Sequence, residues 1–117
     1  EALKASSLEG ARKYAALANE KVPGNYRIVQ QQAKVENLAG NTAEAVKFYN
    51  ATIAILDAKE NAKVEYKDTY IGIYANLARI AFEADDKAGA RDIYMKWLEV
   101  DPENAALREY VEKMKVD

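Results

Sequence analysis

The chain contains only two prolines, Pro23 and Pro102, and both fall at breaks in an otherwise continuous helical pattern. Elsewhere apolar side chains, many of them alanine, recur with the 3.6-residue period of an α-helix, and runs that alternate with period two are missing. Because proline is disfavoured inside a helix, the two prolines separate helical segments. We predict helices over residues 7–22, 26–39, 42–59, 63–84, 87–100 and 103–115.

Residue types that cap helices precede several of these segments. Asn41 stands three residues before Glu44, a spacing typical of a capping box. Asp101 precedes Pro102, which suits an acidic N-cap followed by proline at the first helical position. The serine pair at 6–7 stands before the first predicted helix in the same way. These residues predict where three helices begin.

The spacing of three alanines that open helices indicates a repeat. Ala11 and Ala45 lie 34 residues apart, and the next interval, from Ala45 to Ala90, is 11 residues longer. Eleven residues are about three turns of helix, so this insertion lengthens the helices beside it without rotating their apolar faces. We therefore expect the hairpin over residues 43–83 to be longer than its neighbours.

In this frame the sequence resembles the tetratricopeptide repeat family. The best match covers residues 71–104, at the family's small, large, aromatic and proline positions: Tyr74, Leu77, Ala78, Ala81, Ala90, Tyr94 and Pro102. A second match covers residues 26–59, at Ala33, Gly40, Asn41, Glu44, Ala45 and Tyr49. Part of an earlier repeat is visible at Ala11, Ala18 and Pro23. The sequence departs from the family pattern at Gln32, Ala81 and Trp97, and we expect Trp97 to lie under a terminal helix.

The resemblance implies an all-α, right-handed superhelix of stacked antiparallel helix hairpins, with about six helices and one lengthened hairpin. It divides one domain, residues 1–117, into a partial repeat (7–25), a repeat (26–62), a repeat with a lengthened first helix (63–102) and a C-terminal capping helix (103–117). Hairpins of this kind stack because one alone cannot bury its apolar face. Alanines at 33, 45, 78 and 90 allow close helix approach, and larger side chains fill the spaces between them.

Members of this family bind peptides or partner proteins in a concave groove, which implies a non-catalytic interaction module here. The positions that correspond to the groove are Arg27, Gln30, Lys34, Asn37, Arg79 and Phe82. Lys34 and Arg79 occupy equivalent places, so the resemblance implies that together they hold a carboxylate. The alternatives are a solvated helix face in a purely structural spacer, or self-association through the N-terminal helix.

Three tyrosines recur every four residues, Tyr66, Tyr70 and Tyr74, and form one stripe on a helix. Such a stripe predicts either an aromatic platform for a partner or packing of the long hairpin against Ile53 and Leu56. The first interpretation requires exposed rings, and the second requires buried ones.

Composition argues against several classes of function. The chain has no cysteine and no histidine, so it lacks disulfides, thiol nucleophiles, the commonest general base and the commonest metal ligands. A net charge of −2 gives no reason to expect nucleic acid, and no apolar run is long enough for membrane insertion. The acidic turn at residues 83–86 suits helix capping better than a metal. We predict no enzyme activity and no cofactor.

The chain begins with glutamate rather than methionine, which suggests a processed product or a piece of a longer protein. Similar repeats with a lengthened hairpin occur near the C-termini of bacterial envelope proteins. The resemblance therefore implies a bacterial parent protein in the periplasm or cell envelope.

Overall fold

The computed structural model describes the backbone of residues 2–21 and 24–114, and the side chains of residues 9–21 and 24–114. Within these ranges the chain is all-helical, without strands. The seven helices are α1 (Ala2–Lys21), α2 (Tyr26–Leu38), α3 (Thr42–Asp57), α4 (Ala62–Glu65), α5 (Lys67–Glu83), α6 (Lys87–Val100) and α7 (Ala105–Lys113). The all-α class predicted from sequence is confirmed, whereas stacking into a right-handed superhelix stays a prediction.

The chain divides into two compact units, Glu1–Glu60 and Asn61–Asp117. In the first unit α2 and α3 form a hairpin, and α1 packs against α2. In the second unit α5 and α6 form a hairpin, α4 contacts α5, and α7 packs against α6. Each hairpin pairs a shorter helix with a longer one: α2 has 13 residues and α3 has 16, while α5 has 17 and α6 has 14.

Small side chains are fully buried at equivalent places in the two hairpins. Ala33 and Ala45 are 0% exposed, and the corresponding Ala78 and Ala90 are 1% and 0% exposed. Alanine at such positions lets two helix backbones approach closely, and larger side chains then fill the flanking space. The predicted packing role of these alanines is confirmed.

The two hairpins also turn in the same way. Gly40 (φ +83°) and Asp85 (φ +59°) each occupy the left-handed region one residue after the helix C-cap. The Asn41 N–H donates to the Glu36 carbonyl at 2.9 Å, and the Asp86 N–H donates to the Ala81 carbonyl at 2.8 Å. This is the Schellman pattern, which satisfies carbonyls at a helix end. Glycine adopts such a φ without strain, but aspartate does not.

Two helix starts differ from prediction. Helix α1 already begins at Ala2, so Ser6 and Ser7 lie inside it and do not cap it. Helix α7 begins at Ala105 rather than 103, because the side chain of Asn104 accepts the Leu107 N–H at 3.0 Å. The expected break at Pro23 lies outside the described residues.

The segment predicted as one helix over 63–84 is divided at Tyr66, which leaves the helical region (φ −112°, ψ 27°). No proline or glycine marks this break, so the sequence pattern gave no warning of it. The division raises the helix number in the described part of the chain to seven, against about six predicted.

Candidate functional site

A buried carboxylate joins all three helices of the first unit. Glu36 on α2 is only 6% exposed. The Arg12 guanidinium of α1 donates to it from Nε at 2.6 Å and from Nη2 at 3.0 Å, a bidentate pair. The Asn41 side chain, at the start of α3, donates to the same carboxylate at 2.8 Å. The glutamate therefore fixes α1 and the hairpin turn to α2.

These contacts keep Glu36 ionised. Hydrogen bonds from Arg12 and then Asn41 lower the pKa of Glu36, and they outweigh burial, which acts in the opposite direction. The same hydrogen bond and the negative charge of Glu36 raise the pKa of Arg12. A general acid requires the opposite shift, towards a raised carboxyl pKa. The geometry suits a structural ion pair rather than proton transfer.

The Glu36 contact explains why the capping box predicted at Asn41 is wrong. Asn41 is the N-cap residue of α3 by position, but its side chain makes no capping hydrogen bond. The amide donates to the Glu36 carboxylate instead. The Asn41 side chain donates to the carboxylate because leaving a buried charge unpaired costs more free energy than leaving an exposed helix N–H to be satisfied by water.

An open groove of about 560 Å³ lies between α1 and α2. Its α1 side is made mostly of small residues, and its α2 side adds an aliphatic side chain and polar groups. The lining residues are Gly10, Ala11, Tyr14, Ala15, Ala18, Asn25, Arg27, Ile28 and Gln31. Tyr14 is 77% exposed beside it, and Leu17, three residues on, is 57% exposed. A large exposed tyrosine beside an apolar groove is typical of a surface that a partner covers.

Of the four predicted site residues in the first unit, only Arg27 lines this groove. The Arg27 guanidinium is exposed, and its carbon lies 5.6 Å from the centre of the Tyr26 ring. Lys34 is also exposed, whereas Gln30 and Asn37 are half-buried. The helical period places Lys34 seven residues, or about two turns, beyond Arg27 on the same edge of α2. The predicted residues thus flank the groove rather than form its floor.

The predicted residues of the second unit, Arg79 and Phe82, have different surroundings from each other. Arg79 is exposed and donates to Glu83 at 3.1 Å and to Asn76 at 3.3 Å, both on its own helix. Phe82 is half-buried, with its ring centre 5.9 Å from that of Tyr94. Lys34 and Arg79 belong to different units, and their joint binding of a carboxylate stays a prediction.

An aromatic cluster joins α5, α6 and α7 in the second unit. Tyr94 lies at its centre: its ring centre is 5.9 Å from that of Phe82, 6.0 Å from that of Trp97 and 5.5 Å from that of Tyr110, whose ring is perpendicular to it. Burial, and to a lesser degree Tyr110, raises the pKa of Tyr94. Trp97 is half-buried beside Tyr94, and its place under the terminal helix stays a prediction. Sequence reasoning missed the cluster around Tyr94.

The tyrosine stripe is largely buried. Tyr70 and Tyr74 are 0% and 5% exposed, and their rings stack with centres 6.1 Å apart. Tyr66, at the helix break, is half-buried. An aromatic platform open to a partner is therefore wrong for Tyr70 and Tyr74, which belong to the core.

The acidic turn after α5 has the structural role predicted for it. The Asp86 side chain accepts the Gly89 N–H at 3.0 Å and caps α6, and Glu83 pairs with Arg79. Residues 2–21 and 24–114 contain no group of three or more acidic side chains placed to hold a metal ion. None of the helices in these ranges is long and apolar enough to cross a membrane.

No protein-family model matches the chain, and a search of curated proteins finds no related sequence.

Proposed function

We propose that this chain is a non-catalytic protein-interaction module, and that its first unit binds a peptide or partner protein in the groove between α1 and α2. The observation that carries the proposal is the groove itself, with its floor of glycine and alanines and the exposed Tyr14 ring and Arg27 cation beside it. Binding sites combine such an apolar floor with a few polar groups that fix orientation.

The chemistry of the other side chains supports a binding role. Among the described side chains of the first unit, the most buried carboxylate, Glu36, is ionised and accepts hydrogen bonds from Arg12 and Asn41. The tyrosine with a raised pKa, Tyr94, lies in an aromatic cluster and has no ionisable partner besides Tyr110 among the contacts described. Neither group is arranged beside a nucleophile or a base, as catalysis would require.

A peptide-display selection tests this function. The full chain is used as bait beside a variant, Ala18→Phe, in which a ring fills the groove from the half-buried Ala18 position. Circular dichroism confirms that the variant retains its helix content. We expect enriched peptides to bind the unaltered chain and to lose most of their affinity for Ala18→Phe. Peptides that bind both proteins equally would contradict binding in the groove.

Self-association through α1 is a second candidate, because Tyr14 and Leu17 are large, apolar and exposed on this helix. Light scattering over a concentration series measures it directly. A dimer that dissociates on substitution Leu17→Lys would favour this candidate, and a monomer at all concentrations would rule it out.

A further inference from the structure

A second cavity, of about 250 Å³, lies among the three helices of the first unit. Each helix contributes two side chains one turn apart, because residues four positions apart lie on the same helix face. They are Arg12 and Ala16 on α1, Gln32 and Glu36 on α2, and Glu44 and Phe48 on α3. None of these six lines the α1–α2 groove. The cavity is smaller than the roughly 300–1,000 Å³ of sites for drug-sized ligands, so it suits a single side chain.

The charged side chains that line this cavity sum to a negative charge. Arg12 and Glu36 neutralise each other in their bidentate ion pair. Glu44 is exposed, and it forms no ion pair within 4 Å with any side chain that the structure describes. Lys47, the only cation of α3, does not line the cavity. The Glu44 carboxylate therefore favours a cationic ligand over an anionic one.

Gln32 adds a hydrogen-bond acceptor that the fold leaves without a donor. Its Oε1 is buried and accepts no hydrogen bond from any described group, although buried polar atoms are normally paired. The side chain as a whole is half-buried at the cavity wall. Because terminal amide torsions are broad, the amide can rotate to accept an N–H from a ligand in the cavity.

Phe48 gives the cavity an aromatic surface, and its side chain is half-buried. Aromatic faces attract cations, arginine more often than lysine. A guanidinium presents several N–H donors in one plane, which lets it reach the Gln32 amide and the Glu44 carboxylate together. An ammonium is more strongly hydrated and lacks this planar arrangement, so arginine fits the cavity better than lysine.

We propose that the cavity among α1, α2 and α3 binds the guanidinium group of an arginine side chain of a partner protein. Glu44 balances its charge, Gln32 accepts one of its N–H groups, and Phe48 contacts the guanidinium or its aliphatic stem. This site shares no residue with the α1–α2 groove. The inference therefore goes beyond the function proposed for the groove and does not depend on it.

The test is an NMR titration of the ¹⁵N-labelled full chain, observed at the Gln32 side-chain amide and the backbone amides of Glu44 and Phe48. The ligands are N-acetyl-arginine methylamide, its lysine counterpart, and its citrulline counterpart, which is a neutral isostere of arginine. The chain variants are Glu44→Gln and Gln32→Glu. Glu60→Gln, at an exposed position of the same unit that does not line the cavity, is the matched control.

We expect the arginine ligand to shift all three resonances with an affinity in the millimolar range, the lysine ligand to bind more weakly and the citrulline ligand not to bind measurably. Glu44→Gln should weaken arginine binding about fivefold, and Glu60→Gln should leave it within about twofold. Gln32→Glu should strengthen binding, because it adds a second uncompensated carboxylate. Since Glu44 is exposed, Glu44→Gln remains informative if Gln32→Glu disturbs the fold.

Three results would overturn the guanidinium site. They are citrulline binding as tightly as arginine, shifts centred away from the cavity, and equal arginine affinity for Glu44→Gln and the unaltered chain. Lysine binding more tightly than arginine would overturn the choice of arginine.

An array of peptides with a fixed central arginine identifies the source of the group. Peptides that bind more tightly than the blocked amino acid, and lose this gain when citrulline replaces arginine, would support a partner protein. If no peptide exceeds the blocked amino acid, the partner protein is overturned and the ligand is a free guanidinium compound. Ala18→Phe, which fills the separate groove, should leave arginine binding unchanged, so failure of groove binding and failure of this site are distinguishable.

Discussion

The two hairpins have the same turn but use its side chains differently. In the first, position 36 is a buried glutamate, and Asn41 donates to it; in the second, the equivalent positions are Ala81 and Asp86. Asp86 has no such acid to contact and caps the next helix instead. The same turn backbone thus carries a side chain that binds Glu36 in the first hairpin and one that caps the next helix in the second. In the first hairpin, Glu36 also anchors α1 through Arg12.

This difference has a consequence for function. The α1–α2 groove exists only while α1 is held against α2, and the contact between Arg12 and Glu36 contributes to that attachment. In the second unit, α7 contacts α6 through rings, with Tyr110 perpendicular to Tyr94. The first unit thus attaches its outer helix with an ion pair, and the second unit attaches its outer helix with aromatic contacts.

The substitution with the largest expected effect is Glu36→Ala, which removes the acceptor for both Arg12 and Asn41. Hydrogen bonds to a buried charge contribute about 1.5–3 kcal/mol, and we expect a loss of about that size in the free energy of unfolding by urea. Hydrogen exchange should show the greatest loss of protection in α1. The control is Glu83→Ala, which breaks an exposed pair and should cost about 0.5 kcal/mol or less. Equal losses for the two variants would contradict a special role for Glu36.

The charge of Glu36 also predicts a pH dependence. Its pKa in the folded chain lies below the ordinary value of 4.5, so the folded state binds this proton less readily than the unfolded state. The stabilisation is present above that ordinary value and is lost as the pH falls through the folded pKa. The stability difference between the unaltered chain and Glu36→Gln should therefore be largest near neutral pH and should shrink in acid. A difference that is constant with pH would show that the charge is irrelevant.

Asp86→Ala tests the capping role in the second hairpin. Loss of an N-cap costs about 1 kcal/mol, seen as a lower urea midpoint. Gly89→Ala should cost less, because the new Cβ displaces the Asp86 carboxylate but alanine favours the helix by up to about 1 kcal/mol over glycine. If Asp86→Ala is neutral, the hydrogen bond from the Gly89 N–H does not stabilise α6.

Effects of the same size or smaller are expected from exchanging residues in the shared turn. Gly40→Ala forces a side chain into the left-handed region, although nothing lies within 4 Å of the new Cβ. We expect a loss of about 1 kcal/mol, and Asp85→Gly should stabilise the second hairpin by somewhat less, because aspartate tolerates this region better than alanine. Thermal unfolding measures the change in stability of each variant. Changes of the same sign in the unfolding midpoint would show that backbone strain does not distinguish the two turns.

Sequence reasoning found what local rules determine. Helical periodicity, the buried alanines at 33, 45, 78 and 90, and the acidic cap after α5 all follow from residue type and spacing. It missed the contact between Arg12 and Glu36, because these residues are 24 apart and each resembles ordinary helix surface. One signal was present: Glu36 follows Ala33 by three residues, on the buried stripe of α2.

The misplaced cap at Asn41 has the same origin. Residue type alone makes Asn41 a good cap, but its side chain can either accept from a helix N–H or donate to the buried Glu36 carboxylate. Only the fold brings that carboxylate close. The groove likewise depends on how α1 and α2 pack, so sequence identified Arg27 beside it but not Gly10, Ala11 or Ala18 as its floor.

Chemical-shift mapping tests the central claim, that the first unit binds partners in the α1–α2 groove, most directly. The ¹⁵N-labelled full chain is titrated with the tightest peptide from the display selection. The account predicts that the largest shifts fall on the amides of Gly10, Ala11, Ala15, Ala18, Ile28 and Gln31. Shifts centred on α5, α6 or α7, or spread evenly over the chain, would contradict it.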